Sequence, residues 1–282
     1  MKKFLIFLAF ALFSINSANA YSDYNCVAPY DLSNGAYRFM STVTGSKFLG
    51  EQVAESIIKK EFSKNLKGKL KVNVTSYSIK DLKKGLFKSI SIKGKDINME
   101  GISFSQLDLR TMCTFNYISL EDPNNIVFKE DLPLAFTIVL SENDLNETME
   151  TVGYKHVISD LNRLGRSFGG LFKIIDTKIK IKDDKIYYDL KVAIPFVKHT
   201  QDIVLVSDLK VVRGKVDFVN TQIINESLSI DLRKIDRIVN YINPLDFSLN
   251  ILENKDARLT VQNINVKDDK INIKGFIIIP QD

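Results

Sequence analysis

Apolar and polar residues alternate one by one along much of this chain, and the alternation is repeatedly reflected across a short charged turn. Two copies are clearest, Ile179-Lys180-Ile181-Lys182-Asp183-Asp184-Lys185-Ile186-Tyr187-Tyr188 and Ile264-Asn265-Val266-Lys267-Asp268-Asp269-Lys270-Ile271-Asn272-Ile273. Looser copies lie at 90–97, around Gly94, and at 209–216, around Gly214. Successive side chains of a strand point to opposite faces, so period-two alternation about a turn predicts an antiparallel hairpin with one apolar face. Strands are expected at 69–79, 86–93, 98–113, 125–129 and 134–140, then at 171–182, 185–196, 202–212 and 215–225. Strands at 245–252, 257–266 and 270–280 close the chain. Several exceed the usual strand length of about five or six residues, which suits a sheet that wraps something.

The period changes in a few places. From Lys47 to Lys67, Leu49, Val53, Ile57, Ile58, Phe62 and Leu66 recur at helical spacing, with Lys59, Lys60, Glu61 and Lys64 opposite and Gly68 as the stop. Ser141 and Asp144 have capping-box spacing before a short helix carrying Leu145 and Met149, which Gly153 ends. A second piece runs over 156–164 and ends at Gly165. A third helix is expected over 231–243, with Leu232, Ile235, Ile238, Val239 and Ile242 as its stripe and Pro244 preventing continuation. Residues 21–46 read as an irregular lead-in. Few helices between blocks of strands, with no βαβ rhythm, predict an α+β fold in which one long antiparallel sheet of hairpins curves around amphipathic helices. No Pro-, Gly- or Ser-rich linker divides it, so residues 47–282 read as a single domain.

The first twenty residues stand apart from that pattern. Lys2 and Lys3, the apolar run 4–13 and Ala18-Asn19-Ala20 spell a secretory signal peptide, which places the mature protein in the periplasm or cell envelope. Export makes a disulfide between Cys26 and Cys113 plausible; two inert thiols are the alternative. Charge is uneven: between Lys59 and Lys95 there are twelve Lys against Glu61 and Asp81. A basic stretch on an exported protein suits an anionic lipid surface or acidic glycan better than nucleic acid, and a plainly solvated face is the bland alternative.

Chemical motifs are sparse. Gly165-Arg166-Ser167-Phe168-Gly169 matches G-x-S-x-G, but the nucleophile elbow needs a strand before it and a helix after it, and here the expected order is reversed. Asp183, Asp184 or Asp189 and His199 follow in hydrolase order without any reason to converge on Ser167. His156 and His199 are the only histidines and neither has a ligand partner at metal spacing. Asp183-Asp184 and Asp268-Asp269 are flanked by Lys, which favours solvated turns over calcium. There is no Walker loop or dinucleotide fingerprint. No catalytic set, metal or cofactor is expected.

The run Leu134-Ala135-Phe136-Thr137-Ile138-Val139-Leu140-Ser141-Glu142-Asn143-Asp144-Leu145-Asn146 resembles the strand and "LSExDLN" motif of LmeA-like bacterial phospholipid-binding proteins. Asn243-Pro244-Leu245-Asp246-Phe247 resembles their "NPL" turn, and the closing hairpin at 261–279 is similar to theirs. The likeness covers roughly residues 45–280. It implies an exported, non-enzymatic phospholipid-binding protein, similar to the tubular lipid-binding (TULIP) group, whose curled sheet wraps a long helix around an apolar groove. On that reading Leu49, Val53, Ile57, Phe62, Ile235, Ile238, Val239, Ile242 and Phe247 are groove candidates, and ordinary core packing is the alternative for each. Lys59, Lys60, Lys64, Lys67, Lys83 and Lys84 are candidates for an anionic head group or a transient membrane contact. The competing functions are a structural envelope module with a filled core and a lipid hydrolase using Ser167.

Overall fold

The computed structural model describes residues 24–122, 125–167, 173–196, 198–225, 238–250, 252 and 257–282. The N-terminal half runs α1 (Gly35–Val43), α2 (Ser46–Asn65), β1 (Leu66–Ser76), α3 (Ile79–Lys83), β2 (Leu86–Met99), β3 (Ile102–Thr111), β4 (Asn116–Asp122), β5 (Asn125–Phe128) and β6 (Leu132–Ser141). There follow α4 (Glu142–Met149), α5 (Val152–Ser167), β7 (Lys173–Lys182), β8 (Lys185–Ala193), β9 (Gln201–Val212), β10 (Lys215–Ile223), α6 (Pro244–Asn250), β11 (Arg258–Lys267) and β12 (Lys270–Ile279). The fold is α+β, as the alternation predicts. Among the described residues every strand pairing is antiparallel.

Eight strands form one sheet in the order β1-β2-β3-β6-β12-β11, with the β4–β5 hairpin joined to the start of β2. Four form the second, β10-β9-β8-β7. The sheets meet where the β9–β10 turn reaches β11, the Val261 N–H donating to the Gly214 carbonyl at 2.7 Å. The inward rows of both sheets join in one apolar core, with Phe104, Ile138, Leu140, Ile179, Val192, Ile271 and Ile273 fully or almost fully buried. The two Asp-Asp turns hold both central residues at positive φ (53° and 58°; 53° and 55°), the backbone that matches strand twist in a two-residue hairpin.

Some expected elements differ. Gly94 is no turn: β2 runs straight through it and reverses at Glu100-Gly101, where both residues adopt positive φ. Gly94 is required instead for close packing, since a Cβ there would lie 2.6 Å from Ile97 Cγ1. The lead-in contains α1, capped by Asn34 Oδ1 accepting from the Tyr37 N–H at 2.7 Å. Gly153 and Gly165 lie within α5 instead of ending helices. Residues 244–250 form α6, where a strand was expected. Asn243 Oδ1 accepts from the Leu245 N–H at 3.0 Å, and Pro244 takes the first helical position, where a missing N–H costs nothing. Of the helix expected over 231–243, residues 238–241 are helical and 231–237 lie outside the described residues. Among the described residues no helix is long and apolar enough to cross a membrane.

Cys26 and Cys113 are bonded, with their Cα atoms 5.6 Å apart, a linkage that fits an oxidising compartment. The segment behind Cys26 is held further by Tyr30 Oη donating to Glu130 at 2.9 Å and by Ser33 Oγ donating to Asp81 at 2.7 Å.

Candidate functional site: an apolar groove under α2

Helix α2 is held beside the sheet by its carboxylates. Glu51 and Glu55, one turn apart, accept from the backbone N–H groups of Ser76 (2.6 Å) and Val74 (2.9 Å) on the free edge of β1. A helix anchored through polar side chains at a sheet edge need not press its apolar side into the core. No residue of α2 is buried.

Beneath it lies an apolar groove of about 500 Å³. Its roof is Leu49, Val53, Ala54, Ile57, Ile58 and Phe62 of α2. Its floor is the inward row of the larger sheet, including Val74, Ile92, Leu132, Leu134 and Ile279, and Ile118 and Phe128 of the β4–β5 hairpin close one end. Ile79, Leu82 and Lys83 of α3 form a side wall. Gly85 lets the chain pass: at φ 84°, a Cβ there would strike the Ile118 carbonyl. Among the described residues, two polar side chains reach the lining. The Thr111 hydroxyl already accepts from the Ile90 N–H at 3.1 Å, and Lys83 is exposed at the rim. Leu49, Val53 and Ile57, at i, i+4 and i+8, are 59–62% exposed and mark the mouth.

The groove candidates separate cleanly. Leu49, Val53, Ile57 and Phe62 line the cavity. Val239 and Ile242 do not: both are fully buried in the solid core against the second sheet. There the Tyr154 hydroxyl donates to the Ile242 carbonyl at 2.6 Å and meets the Tyr188 hydroxyl at 2.5 Å, and burial pushes both phenols well above their ordinary range. Phe247 packs edge-on against Tyr154 with centroids 5.6 Å apart, and Ile238 is half-buried outside the groove. Ile235 lies outside the described residues.

Among the lysines, Lys83 lies at the groove. Lys59, Lys60 and Lys67 are exposed on α2 and at the start of β1. Lys64 pairs with Glu61 at 2.6 Å. Lys84 pairs with Asp31 at 2.8 Å, and that hydrogen bond holds its ammonium above the usual lysine range. The strand residues of the floor are what sequence reasoning missed. Their alternation was visible, but nothing in it separates a row facing a void from a row facing a neighbour.

The chain matches no protein-family model, no curated protein and no solved structure. The candidate site therefore rests on its own geometry.

Elsewhere, a polar crevice of about 710 Å³ lies on the opposite face of the same sheet, lined by Asn73, Thr75, Ser89, Ser91, Lys93 and Arg110 among others. Among the described residues no three His, Cys, Asp or Glu side chains are grouped to hold a metal. His156 and His199 are exposed and far apart in the chain order. Phe168 and Gly169 of the G-x-S-x-G run lie outside the described residues, but Ser167 closes a helix, α5, instead of following a strand.

Proposed function

We propose that this protein binds lipid by holding an acyl chain in the groove under α2, and acts as a non-enzymatic carrier or presenter of phospholipid in the cell envelope. The observation that carries the reading is a roughly 500 Å³ apolar space whose few polar atoms are already partnered or sit at the rim. That volume falls in the ordinary range for ligand sites, about 300–1,000 Å³. A ligand with polar groups would lose water inside and gain no hydrogen bond, whereas a hydrocarbon chain loses nothing. At about 0.8 kcal/mol per buried CH₂, roughly ten methylenes gain on the order of 8 kcal/mol before the cost of ordering the chain. The half-exposed stripe of Leu49, Val53 and Ile57 supports an opening through which a chain slides sideways while its head group stays in water. The resemblance to LmeA-like and TULIP proteins points the same way, and on that reading α2 takes the part of their long helix beside the larger sheet. The disulfide and the leader-like first twenty residues support export to the periplasm or envelope.

Native mass spectrometry of the full chain after incubation with phosphatidylglycerol or phosphatidylethanolamine liposomes tests this. One phospholipid per protein is expected. Ala54→Trp, which fills the groove from a half-buried position, should reduce loading at least about tenfold with an unchanged unfolding midpoint. A wild-type protein that stays empty, or an Ala54→Trp variant that loads equally well, removes the proposal in favour of a structural module.

A further inference from the structure

Helix α1 buries only Ser41, yet it carries Tyr37, Phe39, Met40 and Val43. Phe39 is 67% exposed, Val43 65% and, across the Thr44-Gly45 turn, Phe48 60%. None of these three lines the groove. Phe48 precedes Leu49 of the groove mouth in the chain, so exposed apolar side chains recur from α1 up to the opening. Monomeric soluble proteins seldom leave aromatic and aliphatic side chains so concentrated and so exposed without a binding role.

Charge narrows the partner. Residues 35–95 contain fourteen Lys and Arg against four Asp and Glu, a net of +10 in a chain of net +5. All four acidic groups are engaged. Glu51 and Glu55 face the β1 edge, Asp81 is fully buried with Ser33 and Ser78, and Glu61 pairs with Lys64. The ammonium groups of Lys59, Lys60 and Lys83 have no hydrogen-bond or ion-pair partner among the described residues. A net charge of that size opposes packing two copies of this stretch together. It favours a surface that is both apolar and negatively charged.

We infer that α1 and the start of α2 form a membrane-docking element, in which Phe39, Val43 and Phe48 enter the acyl boundary of an anionic phospholipid bilayer while Lys59, Lys60 and Lys83, further along the same half of the molecule, engage head groups. Docked this way, the mouth at Leu49, Val53 and Ile57 faces the lipid it takes up. The inference deepens the lipid-binding reading and rests on it only for the identity of the cargo.

Flotation of the full, disulfide-bonded chain with vesicles of phosphatidylglycerol and phosphatidylcholine, against vesicles of phosphatidylcholine alone, tests the docking. The wild type should float with the anionic vesicles and be released by high salt. Phe39→Asp/Val43→Asp/Phe48→Asp should lose binding at least about tenfold, yet still load one phospholipid from detergent micelles in native mass spectrometry. Lys59→Glu/Lys60→Glu, which leaves the apolar tip intact, should weaken binding and flatten its salt dependence. A triple variant that floats like the wild type overturns the inference. So does a wild type that ignores anionic vesicles, or one that sediments as a dimer the triple variant dissociates. Flotation without loading would remove the lipid cargo and leave the docking, and loading without flotation the reverse.

Discussion

Gly275 lies in β12 between β11 and β6, opposite Val261 on one side and Phe136 on the other. Intrinsic preference alone would improve a strand glycine by about 0.5–1 kcal/mol on replacement with alanine. Contact decides otherwise. An added Cβ would strike the Thr260 carbonyl oxygen of β11 and come within 2.7 Å of Phe136 Cζ, in a ring that is almost fully buried. Neither is the end of a flexible side chain. Gly275→Ala should therefore lower stability by about 1–3 kcal/mol through overpacking, measured by urea unfolding. An unchanged or raised midpoint would show that the β11–β12 pair spreads at no cost. The same logic explains Gly94, which reads in the sequence as a turn but is glycine because Ile97 of its own strand occupies the Cβ position, and Gly85, where the Ile118 carbonyl does so.

At the scale of elements, free strand edges are closed by side chains. Asn146 of α4 both donates to and accepts from the backbone of Ile179 on β7, at 2.9 Å each way, and Asn162 of α5 does the same for Ile174 at 2.8 Å. Asn240 pairs in the same manner with Phe218 on β10, and Glu51 and Glu55 serve β1. A carboxamide offers the donor and acceptor of a strand residue without adding a strand, so the edges are blunted against association. Asn146→Ala orphans two backbone groups of a fully buried residue and should cost about 2–4 kcal/mol. Asn143→Ala, on the solvent side of the same helix, should stay within about 0.5 kcal/mol. Equal losses by chemical denaturation would remove the edge-capping account. These asparagines mark the limit of what alternation reveals. The strands of β7 to β12 and the hairpin turns at Asp183-Asp184 and Asp268-Asp269 were readable because period and turn chemistry are local. The capping box at Ser141 and Asp144 was readable for the same reason, and its two reciprocal hydrogen bonds form as the spacing implies. α1 was not, because a helix with its apolar residues facing outward has no core-facing stripe to detect. Half of the groove was legible for a related reason. Leu49, Val53, Ile57 and Phe62 share a stripe with a stripe's usual meaning, but Val239 and Ile242 carry the same signal and fill a core.

The whole molecule is asymmetric in both packing and charge. The second sheet, with Tyr154, Tyr188, Val239 and Ile242 locked beneath it, is a filled scaffold. The basic half, with α1, α2 and the open groove, is joined to that scaffold through the larger sheet. The Cys26–Cys113 bridge closes a loop spanning 87 positions, and that loop holds α1 to α3 and β1 to β3, most of the elements around the groove. Helix α2 has no fully buried side chain, and Ala54, Ile58 and Phe62 are only part-buried where they pack against the core, so modest apolar packing opposes its departure from the sheet edge. Further restraints on this half are the Glu51 and Glu55 hydrogen bonds, the segment 24–34 anchored through Tyr30, Asp31 and Ser33, and the Ile79 N–H of α3 donating to Ser41 Oγ of α1. Restricting so long a loop in the unfolded chain is worth about 2–4 kcal/mol by the usual range for native bridges. Cys26→Ser/Cys113→Ser should lose stability of that order in urea, and hydrogen exchange should show α1 and α2 opening before β7 to β10. Uniform loss of protection over both sheets would mean that the groove and the scaffold unfold as one unit. Protection lost first in α2 would mean that the bridge keeps a roof with no buried side chain seated over an empty, oil-lined space.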